Sequence, residues 1–397
     1  MSTRYERFPI FDADNHYYEA LDCCTRYIEP RFRDRAVRYG EHEGKDAVFV
    51  GDRLYTYGTV HVDECPVPGT LVEMLRSFKT GTEGNRSDFD QPIPPEYRDR
   101  DARLALMDAQ GVEACVMLPT LGVTLEHFMK EDVEQTYANL TAFNRWIEDD
   151  WGYSYKDRIL AVPLLSLLDI DLAVAEVDRV LERGARMVHL RPGPQGGRSP
   201  ADPHFDPFWA RLEEAGVPVV FHTGEFGYNE LYSVAWGEDP NPTCYEQSAW
   251  QWLNSFGDRA IMETLSALIY HNLFGRFPGM KAATIEHGSG WVDYLLSCLN
   301  KKKGMARNGP WIGGRLEDRP TDIFKRHVFM TPFPEDDVPA LIDRVGASQV
   351  LCASDFPHAE GLAEPQGFFD LLPEGMADAD LRGVMRENGR RLFGLPV

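Results

Sequence analysis

Acidic and imidazole side chains recur where short apolar runs of this sequence end. Asp12, Asp14 and His16 follow one such run, His222 ends another, Glu286 and His287 a third, and Asp355 a fourth, with His358 three residues on. A carboxylate or imidazole buried at a strand end has a desolvation cost that a cation or a hydrogen-bonding partner must offset. Strand alternation through Asp12-Ala13-Asp14-Asn15-His16 points the three polar side chains the same way. Two imidazoles, His16 and His222, with the carboxylates Asp14 and Asp355 make a mixed nitrogen and oxygen set. Such a set suits iron, zinc or manganese better than calcium or magnesium. A single histidine at a strand end normally just makes a hydrogen bond; four such residues far apart in the chain point to a metal site if the fold gathers them.

The elements that would gather them are legible as a rhythm. Runs at 10–14, 114–119, 159–165, 186–190, 217–222, 282–287, 327–331 and 350–355 are short and rich in β-branched or small apolar residues, as strands buried on both faces are. Helical patterns alternate with them, at 101–110, 169–183, 205–215, 258–277, 291–300, 336–345 and 378–393. In 169–183, Leu172, Val177, Val180 and Leu181 are expected on one face, with Gly184 at the C-terminal cap. Alternating strands and helices imply a parallel sheet with right-handed crossovers, and eight strands are what a (β/α)8 TIM barrel needs. A doubly wound open sheet would show a Gly-rich first turn, and Asp14-Asn15-His16 is not one. In a closed barrel all strand C-terminal ends meet at one mouth, which would bring these residues together.

Residues 1–397 read as a single barrel domain with two interruptions. Residues 20–100 follow the first strand as an inserted subdomain or lid, with a hairpin turn at Gly51-Asp52-Arg53 and a Pro-rich exit at 91–95. Residues 223–256 form a long loop after the fifth strand, with Tyr228, Tyr232, Trp236, Trp250, Trp252 and Phe256. These aromatics either line a pocket for a bulky apolar substrate or pack on one another. Arg26, Arg31, Arg33, Arg35 and Arg38 could hold phosphates, but Glu29 and Asp34 lie among them and favour a solvated, salt-bridged face.

Composition sets outer bounds. The 41 basic and 63 acidic residues give a net charge of −22, against nucleic acid or an anionic membrane as partner. No apolar run approaches the roughly 18 residues of a membrane span, and the first residues lack a signal peptide's apolar core. Seven scattered cysteines without a C-x-x-C pair read as reduced thiols in a cytoplasmic protein.

Phe11-Asp12-Ala13-Asp14-Asn15-His16, Phe221-His222-Thr223-Gly224, Ile285-Glu286-His287-Gly288 and Ser354-Asp355-Phe356-Pro357-His358 resemble the metal motifs of the amidohydrolase superfamily, in its amidohydrolase-2 branch of decarboxylases, hydratases and hydrolases. The resemblance runs from the first strand to the C-terminus. It implies a first metal site of Asp14, His16, His222 and Asp355, with His287 as acid/base or ligand. The carbamylated lysine that bridges two metals in many superfamily hydrolases has no match, since strand four reads Arg186-Met187-Val188-His189-Leu190-Arg191. Glu286, His287, His271, His358 and Asp12 remain as spare ligands. The chain is also similar in length and motif set to TIM-barrel nonheme diiron monooxygenases, the type that hydroxylates a diterpenoid in platensimycin and platencin biosynthesis, whose relatives favour coenzyme-A-linked substrates.

The leading expectation from these resemblances is a monooxygenase with two irons per chain, acting on a bulky apolar small molecule, free or as a coenzyme A thioester, with dioxygen and an electron donor. Asp14, His16, His222, Asp355, Glu286 and His287 are its expected metal ligands; His287, Glu286 and His271 are its candidate catalytic groups. The alternative is a mononuclear zinc or manganese hydrolase or decarboxylase on the same first site. A binding protein on a decayed barrel is the third reading. The inserted segment is the candidate surface for a homodimer.

Overall fold

The computed structural model describes residues 6–80 and 89–397; residues 81–88 of the 20–100 insertion and the first five residues lie outside them. Seven barrel strands run parallel in chain order: β1 (Ile10–Tyr17), β2 (Val112–Pro119), β3 (Ile159–Ala161), β4 (Val188–Leu190), β5 (Val219–His222), β6 (Ala282–Ile285) and β7 (Val328–Met330). The eighth position is taken by residues 350–356, tied to β7 through Met330 and Val350 and to β1 through Asn15 and Phe356. Those two parallel bridges close the (β/α)8 barrel. Its interior is filled from nearly every position, by Ala13, Val116, Leu160, Met187, Val220, Ala283 and Leu351 among others, so it is a packed core with the functional end at the strand C-termini.

Three expected elements differ from the structure. The third strand is not continuous: β3 pairs with β2, whereas Leu164–Leu165 pairs with β4, and Val162-Pro163 lies between. Pro163 has no N–H to give a ladder. The helix expected at 258–277 divides into Asp258–Tyr270 and Leu273–Arg276 at Asn272, which has φ +57°. In helix Ile170–Glu182 the buried face carries Ala173, Glu176, Val177 and Val180; Leu172 sits in the first turn and is 41% exposed. Asp169 caps that helix by accepting from Leu172 N–H.

Local turn chemistry shapes the segment after β1. Val37–His42 and Lys45–Val50 form an antiparallel hairpin, and the chain turns at Gly51, with φ +61°, into Arg53–Leu54. Glu64–Pro66 pairs with Asp90–Pro92, and helix Leu71–Thr80 lies between them. Three of the five arginines at 26–38 are committed to acids, Arg26 to Asp22 and Asp150, Arg31 to Glu29, and Arg35 to Asp132 and Glu134, while Arg38 lies over the Phe49 ring. That is the salt-bridged face, and it leaves no preformed phosphate cradle among these pairs. Among the described residues no helix is long and apolar enough to cross a membrane. The cysteines are all free.

Candidate metal centre

The first strand does not keep strict alternation. Between Asp12 and Asn15 its register to β2 shifts: Asp12 lies opposite Cys115 and Asn15 opposite Met117, so three steps on β1 match two on β2. This bulge re-aims the chain at the mouth. Asp14 and His16 line the cavity there, while Asp12 faces the other way. The Asp12 carboxylate accepts from Ser354 N–H (2.9 Å), Ser354 O–H (2.5 Å), Asn15 Nδ2 (2.9 Å) and Asp14 N–H (3.2 Å). It is a clasp between β1 and the eighth position and lies outside the ligand set. Burial pushes its carboxyl up to about 6, against the pull of those donors. Every neighbour is a donor, so Asp12→Asn sets an amide N–H₂ against N–H and O–H groups. The expected cost is about 2–4 kcal/mol, read as a lower urea midpoint, together with weaker metal binding.

His16 Nε2 stands at the centre of the cluster. It is 3.1 Å from Asp14 Oδ1, 3.2 Å from His222 Nε2, 3.5 Å from Asp355 Oδ1 and 3.9 Å from Glu286 Oε2. His222 Nε2 is 3.0 Å from Glu286 Oε2 and 3.6 Å from Asp14 Oδ1. An ion with bonds of about 2.1 Å holds adjacent ligand atoms about 3.0–3.4 Å from one another, which is the spacing of the Asp14–His16, His16–His222 and His222–Glu286 pairs. His222 Nδ1 meets the Thr223 carbonyl at 2.8 Å and so carries a proton, leaving Nε2 to offer its lone pair inward. Two groups meet the geometry of a metal cage, Asp14, His16, His222 and Glu286, and His16, Glu286, Asp355 and His358. The residues fit a divalent cation.

Electrostatics agree. Burial raises Glu286, only partly countered by His222. Burial and the charges of Glu286 and Asp14 hold Asp355 well above the usual carboxylate range. Burial also opposes the charge on Asp14, but the His16 and His222 imidazoles beside it keep its carboxyl low. His222 is raised despite burial, because Glu286 and Asp14 face it. His16 is pushed down to about 3 by burial and by His358. Three buried carboxylates gathered on two imidazoles form a negative pocket whose natural counterion is a metal.

Glu286 and Asp355 both have φ +55°. For residues with a Cβ this left-handed backbone costs roughly 1 kcal/mol, and such strain clusters at functional sites. At Glu286 it turns the carboxylate into the mouth.

An amidohydrolase family model matches residues 60–395. An amidohydrolase from Mycobacterium avium subsp. paratuberculosis K-10 is 37% identical, superposes with a TM-score of 0.87, and the match covers 98% of this chain and 100% of that one. The chain belongs to the amidohydrolase family. Among curated proteins, this amidohydrolase is similar to gamma-resorcylate decarboxylase of Rhizobium sp. (strain MTP-10005), 24% identical over 308 residues, 75% of this chain and 87% of that protein. The fold is shared with manganese-bound 5-carboxyvanillate decarboxylase of Novosphingobium aromaticivorans DSM 12444, at 16% identity and a TM-score of 0.64, over 98% of this chain and 96% of that one.

The amidohydrolase mouth thus brings together Asp14, His16, His222, Asp355 and Glu286. It does not bring in His287 or His271. With Glu286 turned inward, the His287 ring is buried 5.7 Å from the Phe226 ring, with no hydrogen-bond partner at either nitrogen. His271 caps the helix that leads into β6; such a helix runs back along the barrel, so its end lies at the face where strands begin, away from the mouth. His358 was one spare ligand among several in the sequence, and its place is specific. Nδ1 is 2.6 Å from Asp355 Oδ1 and Nε2 is 3.0 Å from Thr120 Oγ1. Of the six aromatics after β5, only Trp252 and Phe256 line the cavity. Tyr228 and Tyr232 both bond Glu263, and Trp236 packs on Trp250.

Proposed function

We infer that the protein is a metal-dependent decarboxylase of a bulky, largely apolar carboxylic acid, with one manganese or zinc ion held by Asp14, His16, His222 and Glu286. The observation that carries this reading is the ligand cluster at the end of a cavity of about 830 Å³, whose remaining wall includes Val60, Leu71, Met74, Leu75, Trp252 and Phe256. Drug-sized ligands occupy roughly 300–1,000 Å³, so the cavity suits a guest well beyond a single ring. The sequence relatives named as decarboxylases, and manganese in a neighbour of the same fold, support the choice of reaction and metal over iron, dioxygen and coenzyme A.

A bound divalent ion supplies the positive charge that holds a carboxylate and stabilises the electron pair left when carbon dioxide departs. The chain's own groups do the rest. The bond from the carboxyl carbon breaks, its pair stays on the substrate carbon, and one proton must reach that carbon. Asp355 and His358, 2.6 Å apart on the cavity wall, are placed to hold and deliver that proton. Thr120 Oγ1 donates to the Tyr17 carbonyl (2.8 Å), so it receives Nε2–H from His358, and Nδ1 is the nitrogen turned to Asp355.

The second ligand group favours one further reading, a two-metal centre in which His358 and Asp355 hold the second ion, where the diiron expectation looked to Glu286, His287 and His271 for it. Metal analysis and gas exchange test both. The expected result is about one manganese or zinc per chain and carbon dioxide release from bulky acids under anaerobic conditions. Two irons per chain with reductant-dependent oxygen uptake would overturn the decarboxylase reading.

A further inference from the structure

Glu19 is a buried carboxylate that the proposed chemistry leaves unused. It is 3% exposed and lines the cavity. Its Oε1 accepts two backbone N–H groups, from Leu121 at 2.8 Å and Gly122 at 2.9 Å, just beyond the C-terminal end of β2. Glu19's own backbone N–H also faces the carboxylate, and no hydrogen bond reaches Oε2 from any other described residue. The preceding residue, Thr120, touches His358, so Glu19 flanks the metal centre on the His358 side. The two other acids of the cavity outside the ligand cluster and its His358 partner, Glu335 and Glu360, are exposed at the rim. Nearby Tyr55 and Thr124 satisfy each other through their hydroxyls at 2.9 Å. A buried carboxylate fixed through one oxygen, with the other turned to a largely apolar cavity, has an open requirement for a donor.

We propose that Glu19 is a specificity-determining residue that accepts a hydrogen bond from an N–H or O–H donor on the substrate, next to the carboxylate seated at the metal centre. The proposal rests on the metal-and-acid reading of the site above. The two backbone donors fix the carboxylate plane before substrate arrives, so little ordering is left to do on binding. Burial pushes Glu19 up to about 7, against the pull of the backbone N–H groups of Gly122, of Glu19 itself and of Leu121, so its accepting form prevails on the alkaline side of neutrality.

The test uses two bicyclic acids of nearly the same shape, indole-2-carboxylate and benzofuran-2-carboxylate, titrated calorimetrically into the manganese-loaded full chain at pH 8. The first carries a ring N–H that can only donate; the second carries an oxygen that can only accept. Wild type is expected to bind the indole about 10- to 100-fold more tightly, the value of one charge-assisted hydrogen bond. Glu19→Gln keeps an oxygen for the two backbone N–H groups and turns N–H₂ to the cavity, so the preference should vanish or reverse with manganese content unchanged. A role confined to pinning the loop after β2 would leave the preference intact in Glu19→Gln, and that result overturns the proposal, as does wild type binding both acids equally. Binding of both acids that ignores manganese would instead overturn the metal-and-acid reading, while the indole preference still reports on Glu19.

Discussion

His222→Ala should purify with almost no metal, lose at least about 10³-fold in rate, and keep its barrel. The rate figure follows from the several kcal/mol of charge stabilisation that a bound metal contributes. Metal loss follows from position. His222 Nε2 is 3.0 Å from Glu286, 3.2 Å from His16 and 3.6 Å from Asp14, so its removal opens one side of the cage and withdraws a neutral donor from a set otherwise dominated by carboxylates. Retention of the fold follows from where the core lies. The barrel interior is packed by residues such as Val220 and Ala283, and β5 keeps its four-residue pairing with β6 without the imidazole. Metal content by plasma emission and far-UV circular dichroism on the same sample decide it. A variant with full metal occupancy would show that His222 is no ligand; a variant that is unfolded would show that the cluster is structural first.

The barrel was legible because strands buried on both faces are written as short apolar runs, and four of the eight carried chemistry at their C-terminal ends. Asp14, His16, His222 and Asp355 could be found this way, since their positions depend only on barrel closure. Two departures at the site came from local backbone events that composition does not announce. Alternation predicts Asp12 beside Asp14, and a one-residue bulge sends it to Ser354 instead. The sequence names Glu286 and His287 together; the backbone at Glu286, with φ +55°, goes with Glu286 in the ligand cluster and the His287 ring buried beside Phe226. A visible cue for the second case was Gly288 two positions on, where φ is +58°, marking a turn at the strand exit. His271 drew notice by residue type alone, without a strand end behind it. Glu19 had no sequence signal at all: what singles it out is the pair of backbone N–H groups from Leu121 and Gly122, a contact across 102 and 103 positions.

His358→Gln separates the two readings of the centre, and the expected result is full metal content with a rate lowered about 10²- to 10⁴-fold, the range for loss of a positioned acid or base. Glutamine retains an amide N–H for Thr120 Oγ1 and an oxygen toward Asp355, so the pair keeps its packing but loses a nitrogen that can exchange a proton at the substrate carbon. The four residues Asp14, His16, His222 and Glu286 are untouched, which is why the ion should stay. If His358 instead holds a second ion through Nδ1, the same substitution removes about half of the metal and leaves the first site filled. The two outcomes differ in a quantity measured without substrate. A binding constant for an unreactive acid adds a second handle: a proton-transfer role leaves it near the wild-type value while the rate falls, whereas loss of an ion that helps hold the carboxylate weakens binding along with the rate. Unchanged metal content with an unchanged rate would remove His358 from both readings and leave Asp355 as the group that carries the proton.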